Sequence, residues 1–202
     1  MKKFLKILKW IGIVLLGAFI ILVIIRAFHF YNLDKTNEQV AKIHATRLKL
    51  SDVMGENLPP DPGEEADKTV AGVDGNQNGI RDDVELAIFE EYPDSAKTRA
   101  VLLQYALALQ MQMTLPIVNK ETVTATVEDN ESRAQVCLWN LSSRSNMEKF
   151  LEDMERYENF VKNLQLNNGQ REKYLHDIFE GNLGSYSSSN EGCDIDLSIL
   201  SN

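Results

Sequence analysis

Acidic residues are absent from the first 26 positions of this 202-residue sequence, which carry five bases. The remaining 176 residues then hold 16 bases and 30 acids, so their net charge is −14 against −9 for the whole chain. A body this acidic repels phosphate backbones, which excludes nucleic acid as an expected partner. With 44% hydrophobic and 25% charged residues, the chain is neither a disordered tail nor a polytopic membrane protein.

Three catalytic signatures are also absent: a glycine-rich phosphate loop, HExxH and GxSxG. The enzyme classes that use these motifs to hold phosphate, zinc or a serine nucleophile are therefore not indicated. No internal repeat occurs. The length allows one domain with a single core.

An uncharged run from Trp10 to Ile25 predicts a transmembrane helix. Its sixteen residues span roughly 24 Å, and the flanking apolar residues extend the segment toward the ~30 Å of a bilayer core. We expect residues 7–28 to contact the bilayer. The lysines precede the run, so the positive-inside rule predicts a single-pass protein of the cell membrane with a cytoplasmic N-terminus and an extracytoplasmic C-terminal domain.

Two other interpretations of this segment remain. A cleaved signal peptide has the same charge layout, but residues 26–30 (RAFHF) lack a small-x-small cleavage signature. A buried core helix fits less well, because the run is hydrophobic on all sides. We therefore favour an uncleaved signal anchor.

The two cysteines, Cys137 and Cys193, both fall on the predicted external side, where thiols oxidise. A disulfide between them would close a loop of about 57 residues and add roughly 4 kcal/mol of stability. It would tie the C-terminal tail to the core. Two buried free thiols are the alternative.

After the anchor, the pattern predicts an all-α protein, with a small extracytoplasmic bundle of four to five helices. Residues 32–50 are ambiguous between a capped helix and a strand, whereas 82–91 are helical. Ser95 or Asp94 is expected to cap a central buried helix that ends near Leu115. Tyr105, Trp139 and Tyr157 are expected in the core. The predicted segments are a cytoplasmic stub and anchor (1–31), a stalk (32–54), a proline-rich linker (55–73), a helical body (74–183) and a flexible tail (184–202).

Residues 74–85 (DGNQNGIRDDVE) have the spacing of a twelve-residue calcium loop. Oxygen-bearing side chains occupy positions 1, 3, 5, 9 and 12, glycine occupies position 6, and the backbone carbonyl of position 7 supplies a further ligand. Hard oxygen donors of this kind favour Ca²⁺ over zinc or copper. Tight turns at the Asp-Gly and Asn-Gly pairs are the alternative explanation of the glycines. The predicted ligands are Asp74, Asn76, Asn78, Ile80, Asp82 and Glu85.

This loop resembles the EF-hand-like calcium loops of bacterial surface proteins and thrombospondin type 3 repeats, D-x-D-x-D-G-x-x-D. The resemblance covers these twelve residues. Asparagine replaces aspartate at positions 3 and 5, and proline-rich sequence replaces the entering helix. More broadly, residues 58–110 resemble bacterial membrane-anchored or exported proteins, which implies an extracytoplasmic location and no particular activity.

Together these features predict a membrane-anchored, calcium-binding helical domain with a structural or interaction role at the cell envelope, where another envelope protein is a possible partner. An envelope hydrolase is one alternative, using His176 with the carboxylates of Glu172 and Glu180, which recur every four residues. An ion-pair stripe on a solvated helix face explains that trio more simply. A sensor of external calcium is the second alternative.

Overall fold

A computed structural model of the protein describes residues 2–182, 184 and 192–202. The described residues contain no β-strand, which confirms the all-α prediction. A π-helix at Thr126–Glu131 and 3₁₀ turns at Gly63–Asp67 and Leu197–Ile199 accompany the α-helices. The α-helices are α1 (Lys2–Ala45), α2 (Leu50–Met54), α3 (Asp82–Glu91), α4 (Ala96–Thr114), α5 (Lys120–Ala125), α6 (Ser132–Leu138), α7 (Met147–Gln165) and α8 (Gly169–Phe179).

The chain divides into two compact units, Met1–Glu38 and Gln39–Asn202. The first unit consists of the long apolar part of α1, whose most apolar window has a mean hydropathy of 2.8 and is not buried by any part of the protein. By length and composition this helix could cross a membrane. The prediction of a long apolar N-terminal helix is therefore confirmed.

Helix α4 forms the centre of the second unit. It is apolar on nearly every side and contacts α2, α3, α6, α7, α8 and the π-helix. Leu102, Leu103 and Tyr105 point in different directions around the helix, and all three are fully buried. The Ser95 hydroxyl accepts a hydrogen bond from the Thr98 backbone N–H at 3.1 Å, so the predicted cap is present.

Helix α7 shows why helical spacing predicts packing. Its apolar residues recur at threes and fours, and Phe150, Met154 and Val161 are buried against the core. The Asn146 side chain caps the helix by accepting from the Lys149 N–H at 3.2 Å. The acidic residues of α7 lie mostly on its exposed side.

The ambiguous region at 32–50 contains no strand. α1 continues through Thr36, whose hydroxyl donates to the Asn32 carbonyl at 2.8 Å instead of capping a new helix. Residues 46–49 connect α1 to α2, which begins at Leu50, so the alternation of polar and apolar residues at 46–50 (TRLKL) does not mark a strand. Alternation over five residues is too short to distinguish a strand from a connection.

A disulfide joins Cys137 in α6 to Cys193, as predicted. It fixes the last described segment, 192–202, on the body, where Ile195 is buried. The predicted flexible tail falls partly on residues 185–191, which lie outside the described residues.

Candidate metal centre

The candidate loop, Asp74–Glu85, lies between the 3₁₀ turn at Gly63–Asp67 and helix α3. The Asp82 N–H donates to the Val73 carbonyl at 2.9 Å, and the Asp82 carboxylate accepts from the Gly75 N–H at 2.9 and 3.0 Å. These bonds close the loop across its base. Its last four residues form the first turn of α3. Three of them are acidic, and negative charge is favourable at the positive, N-terminal end of the helix dipole.

Asp74 organises the turn from the first position. One of its carboxylate oxygens accepts from the Asn78 N–H at 3.1 Å, and the other accepts from the Gly79 N–H at 2.9 Å. Gly79 has φ = 87°, and a Cβ there would lie 2.8 Å from Leu107 Cδ1. Glycine at the sixth position is thus required both by the backbone conformation and by the close approach of α4.

The two asparagines of the loop connect its turn to the Glu85 carboxylate through hydrogen bonds. Their side-chain oxygens accept backbone N–H groups, Asn76 from Asn78 at 3.2 Å and Asn78 from Ile80 at 2.8 Å. Their side-chain nitrogens donate to the two oxygens of the Glu85 carboxylate, each at 3.0 Å. Positions 3, 5 and 12 of the loop therefore converge at one point.

Glu85 is the electrostatic centre of this arrangement. Glu85 is buried, with only 1% of the residue exposed to solvent. Burial raises the pKa of its carboxyl to about 7, and the hydrogen bonds from Asn76 and Asn78 offset only part of that shift. The carboxylates of Asp52 and Asp82 raise the pKa further. A carboxylate in this position gains stability from any nearby positive charge.

The remaining predicted ligands are placed differently. Burial raises the pKa of Asp82 as well, but its two oxygens face Gly75 rather than the asparagines. The Ile80 side chain is fully buried in the core, which fixes the backbone at the seventh position. Within the described residues, no three His, Cys, Asp or Glu side chains are grouped closely enough to hold a metal ion by themselves. A cation here would depend on amide and carbonyl oxygens as well as carboxylates.

Two buried arginines, one within the loop and one in α8, hold this region, and sequence reasoning did not predict the burial of either. Arg81 is fully buried; it forms an ion pair with Asp83 at 2.6 Å and donates to the carbonyls of Leu164 and Gln165 at the end of α7. A Cβ at Gly72 would lie 2.3 Å from Arg81 Cδ, so Gly72 leaves room for this side chain.

Arg171 in α8 holds the chain before the loop. It is fully buried and donates to the backbone carbonyls of Ala66, Thr69 and Val70, the latter two at 3.2 and 3.0 Å. It also pairs with the Asp67 carboxylate at 2.6 Å. The carbonyls of this non-helical segment need donors, which Arg171 supplies. Through these contacts, Arg171 fixes the proline-rich linker to helix α8.

The alternative trio on α8 shows no comparable organisation. His176 Nε2 lies 3.7 Å from Glu180 Oε2, and these side chains are 73% and 75% exposed. Glu172 is exposed as well. The two side chains form a solvent-exposed contact of the kind that i,i+4 spacing produces on a helix surface.

Comparison with known proteins finds no matching family model, no similar curated protein and no similar solved structure.

Proposed function

We propose that this protein is a single-pass membrane protein whose extracytoplasmic helical bundle binds one calcium ion in the loop Asp74–Glu85. The observation that carries the proposal is the buried Glu85 carboxylate, contacted on both oxygens by loop side chains at 3.0 Å. A buried carboxylate is costly to ionise without a compensating cation. Calcium supplies that charge, and the EF-hand-like order of donors in the loop supports it over other ions.

The donor set fits a hard divalent cation with one rearrangement. Asp74 and Glu85 would provide carboxylate oxygens, the Ile80 carbonyl a backbone oxygen, and Asp82 a carboxylate at the position often bridged by water. Asn76 and Asn78 now direct their amide nitrogens toward Glu85, so both amides would rotate to present oxygen. With three carboxylates and two amides, we expect a dissociation constant of about 10⁻⁴–10⁻³ M, which suits extracellular calcium.

The role of the ion in this proposal is structural. The loop joins the linker, held by Arg171, to α3, and the non-helical segment has little apolar burial of its own. A cation joining the two ends of the loop would stabilise this junction. The protein would then serve interaction or assembly at the cell envelope, with another envelope protein as its partner.

The anchoring part of the proposal rests on α1. Its side chains between Phe4 and Ile25 are largely exposed in the free chain, including Ile20 and Val23 near the middle. Such a surface suits lipid contact through residues 7–28, with the basic N-terminus in the cytoplasm. The acidic remainder of the chain, at −14, argues against nucleic acid as a partner.

Thermal unfolding of the full chain in detergent tests calcium binding. With calcium at about ten times the dissociation constant, we expect about 1.4 kcal/mol of stabilisation and a Tm rise of roughly 3–6 °C. Glu85→Ala should abolish the rise, whereas Glu90→Gln, on the exposed side of the same helix, should keep it. An equal Tm with calcium and with chelator would refute the proposal.

A further inference from the structure

A groove of about 410 Å³ lies beside the candidate loop in the second unit. Its volume is in the range of small-molecule sites in proteins. The end of α1 and the connection to α2 line one part of it, the loop lines another, and α4 contributes apolar side chains.

The charge of this groove is opposite to that of the rest of the body. Lys42, Arg47 and Lys49 all line it, and residues 39–49 contain no acid, although residues 27–202 together carry −14. Lys42 and Lys49 are exposed, and Arg47 is half-buried, 3.7 Å from the Asp194 carboxylate. Asp74 is the carboxylate among the lining residues, and both its oxygens accept hydrogen bonds from backbone N–H groups of the loop.

Apolar surface adjoins these bases. Leu107 and Met111 of α4, and Leu115 directly after it, form the floor of the groove, and each is at most 9% exposed. A cationic rim beside an aliphatic surface complements an amphiphile that carries a negative group next to a hydrocarbon chain.

Chain connectivity favours a lipid as the source of that amphiphile. Ten residues lie between Tyr31, at the end of the apolar segment, and Lys42. Even fully extended, this stretch spans no more than about 40 Å, so the chain itself limits how far Lys42 can lie from the apolar segment. Basic segments next to a membrane helix attract anionic headgroups, by about a factor of five per base.

We propose that this groove binds the headgroup of an anionic phospholipid, with the phosphate held by Lys42, Arg47 and Lys49 above the apolar floor. This inference rests on the membrane anchoring in the proposed function, but it is independent of calcium. Bound lipid would hold the end of α1 against the calcium loop.

The test uses the full chain in nanodiscs of phosphatidylcholine with or without phosphatidylglycerol, in the presence of chelator. Backbone hydrogen exchange is followed at 42–49 and 107–115. We expect phosphatidylglycerol to slow exchange there about fivefold or more. The double variant Lys42→Gln/Lys49→Gln should lose most of this protection, whereas Lys120→Gln/Lys149→Gln, which has the same net charge, should keep it.

Equal exchange in both kinds of nanodisc would overturn the inference while leaving the anchoring proposal intact. Equal loss in the two double variants would also overturn it, because nonspecific surface charge would then explain the effect. Protection by inorganic phosphate alone in phosphatidylcholine discs would overturn a lipid as the source. A chain that fails to enter nanodiscs would refute both this inference and the proposed anchoring.

Discussion

The carboxylate of Asp194 accepts a hydrogen bond at 2.8 Å from the backbone N–H of Leu48, 146 residues earlier in the chain. Asp194 follows the disulfide-bonded Cys193 and forms an ion pair with Arg133 in α6. One buried side chain thus joins the segment after α1, the C-terminal segment and the body.

Asp194→Asn should destabilise the protein strongly. The variant keeps the size of the side chain but removes the charge opposite Arg133, whose side chain is only 4% exposed. Breaking a buried pair in this way costs about 3–5 kcal/mol, because Arg133 stays buried after it loses this ion pair. Urea unfolding followed by circular dichroism measures the effect. Asp196→Asn, an exposed neighbour, serves as control, and a loss for Asp194→Asn no larger than the control's would contradict this account.

The disulfide should contribute to stability independently of the ion pair. The sequence separation of Cys137 and Cys193 is 56, for which the chain-entropy estimate is about 4 kcal/mol. We therefore expect reductant to lower the urea midpoint of the wild type by a corresponding amount. The double variant Cys137→Ser/Cys193→Ser should match the reduced protein and show no response to reductant. A wild-type midpoint that reductant does not change would exclude this contribution.

Sequence reasoning succeeded where local signals and packing agree. The start of α3 and the Ser95 cap of α4 each follow from residues within a few positions of one another. The disulfide followed from compartment and count alone, since each cysteine has a single possible partner.

Sequence reasoning failed where partners lie far apart in the chain. An arginine is normally assigned to the surface, yet Arg171 is fully buried because carbonyls about 100 residues earlier require its donors. Trp139 was expected in the core and is 41% exposed, since Cys137 and Leu138 take the buried side of α6. The Asn76 and Asn78 contacts to Glu85 are likewise tertiary details that ligand spacing alone does not specify.

Stability without calcium should depend on the ionisation of Glu85. Its pKa is raised from 4.5 to about 7 in the folded state, so folding favours the protonated form. The contribution is fully present below about pH 4.5 and is lost as pH rises through 7, a change of about 3 kcal/mol. The free energy of unfolding, measured in the presence of chelator at several pH values, tests this dependence. Glu85→Gln should flatten the curve in this window, and a wild-type curve parallel to that of Glu85→Gln would contradict the raised pKa.

Removing the guanidinium that holds the linker should loosen the chain before the loop. In Arg171→Met, the carbonyls of Ala66, Thr69 and Val70 lose their donor, while Asp67, 56% exposed, regains water. Because backbone acceptors rather than the exposed carboxylate are left unsatisfied, we expect a loss of about 2–4 kcal/mol. Hydrogen exchange at 66–72 should accelerate with it. Lys173→Met changes an exposed base of the same helix, whose pairing with Asp177 is a surface i,i+4 contact worth at most about 0.5 kcal/mol. Similar exchange at 66–72 in the two variants would show that Arg171 does not fix this segment.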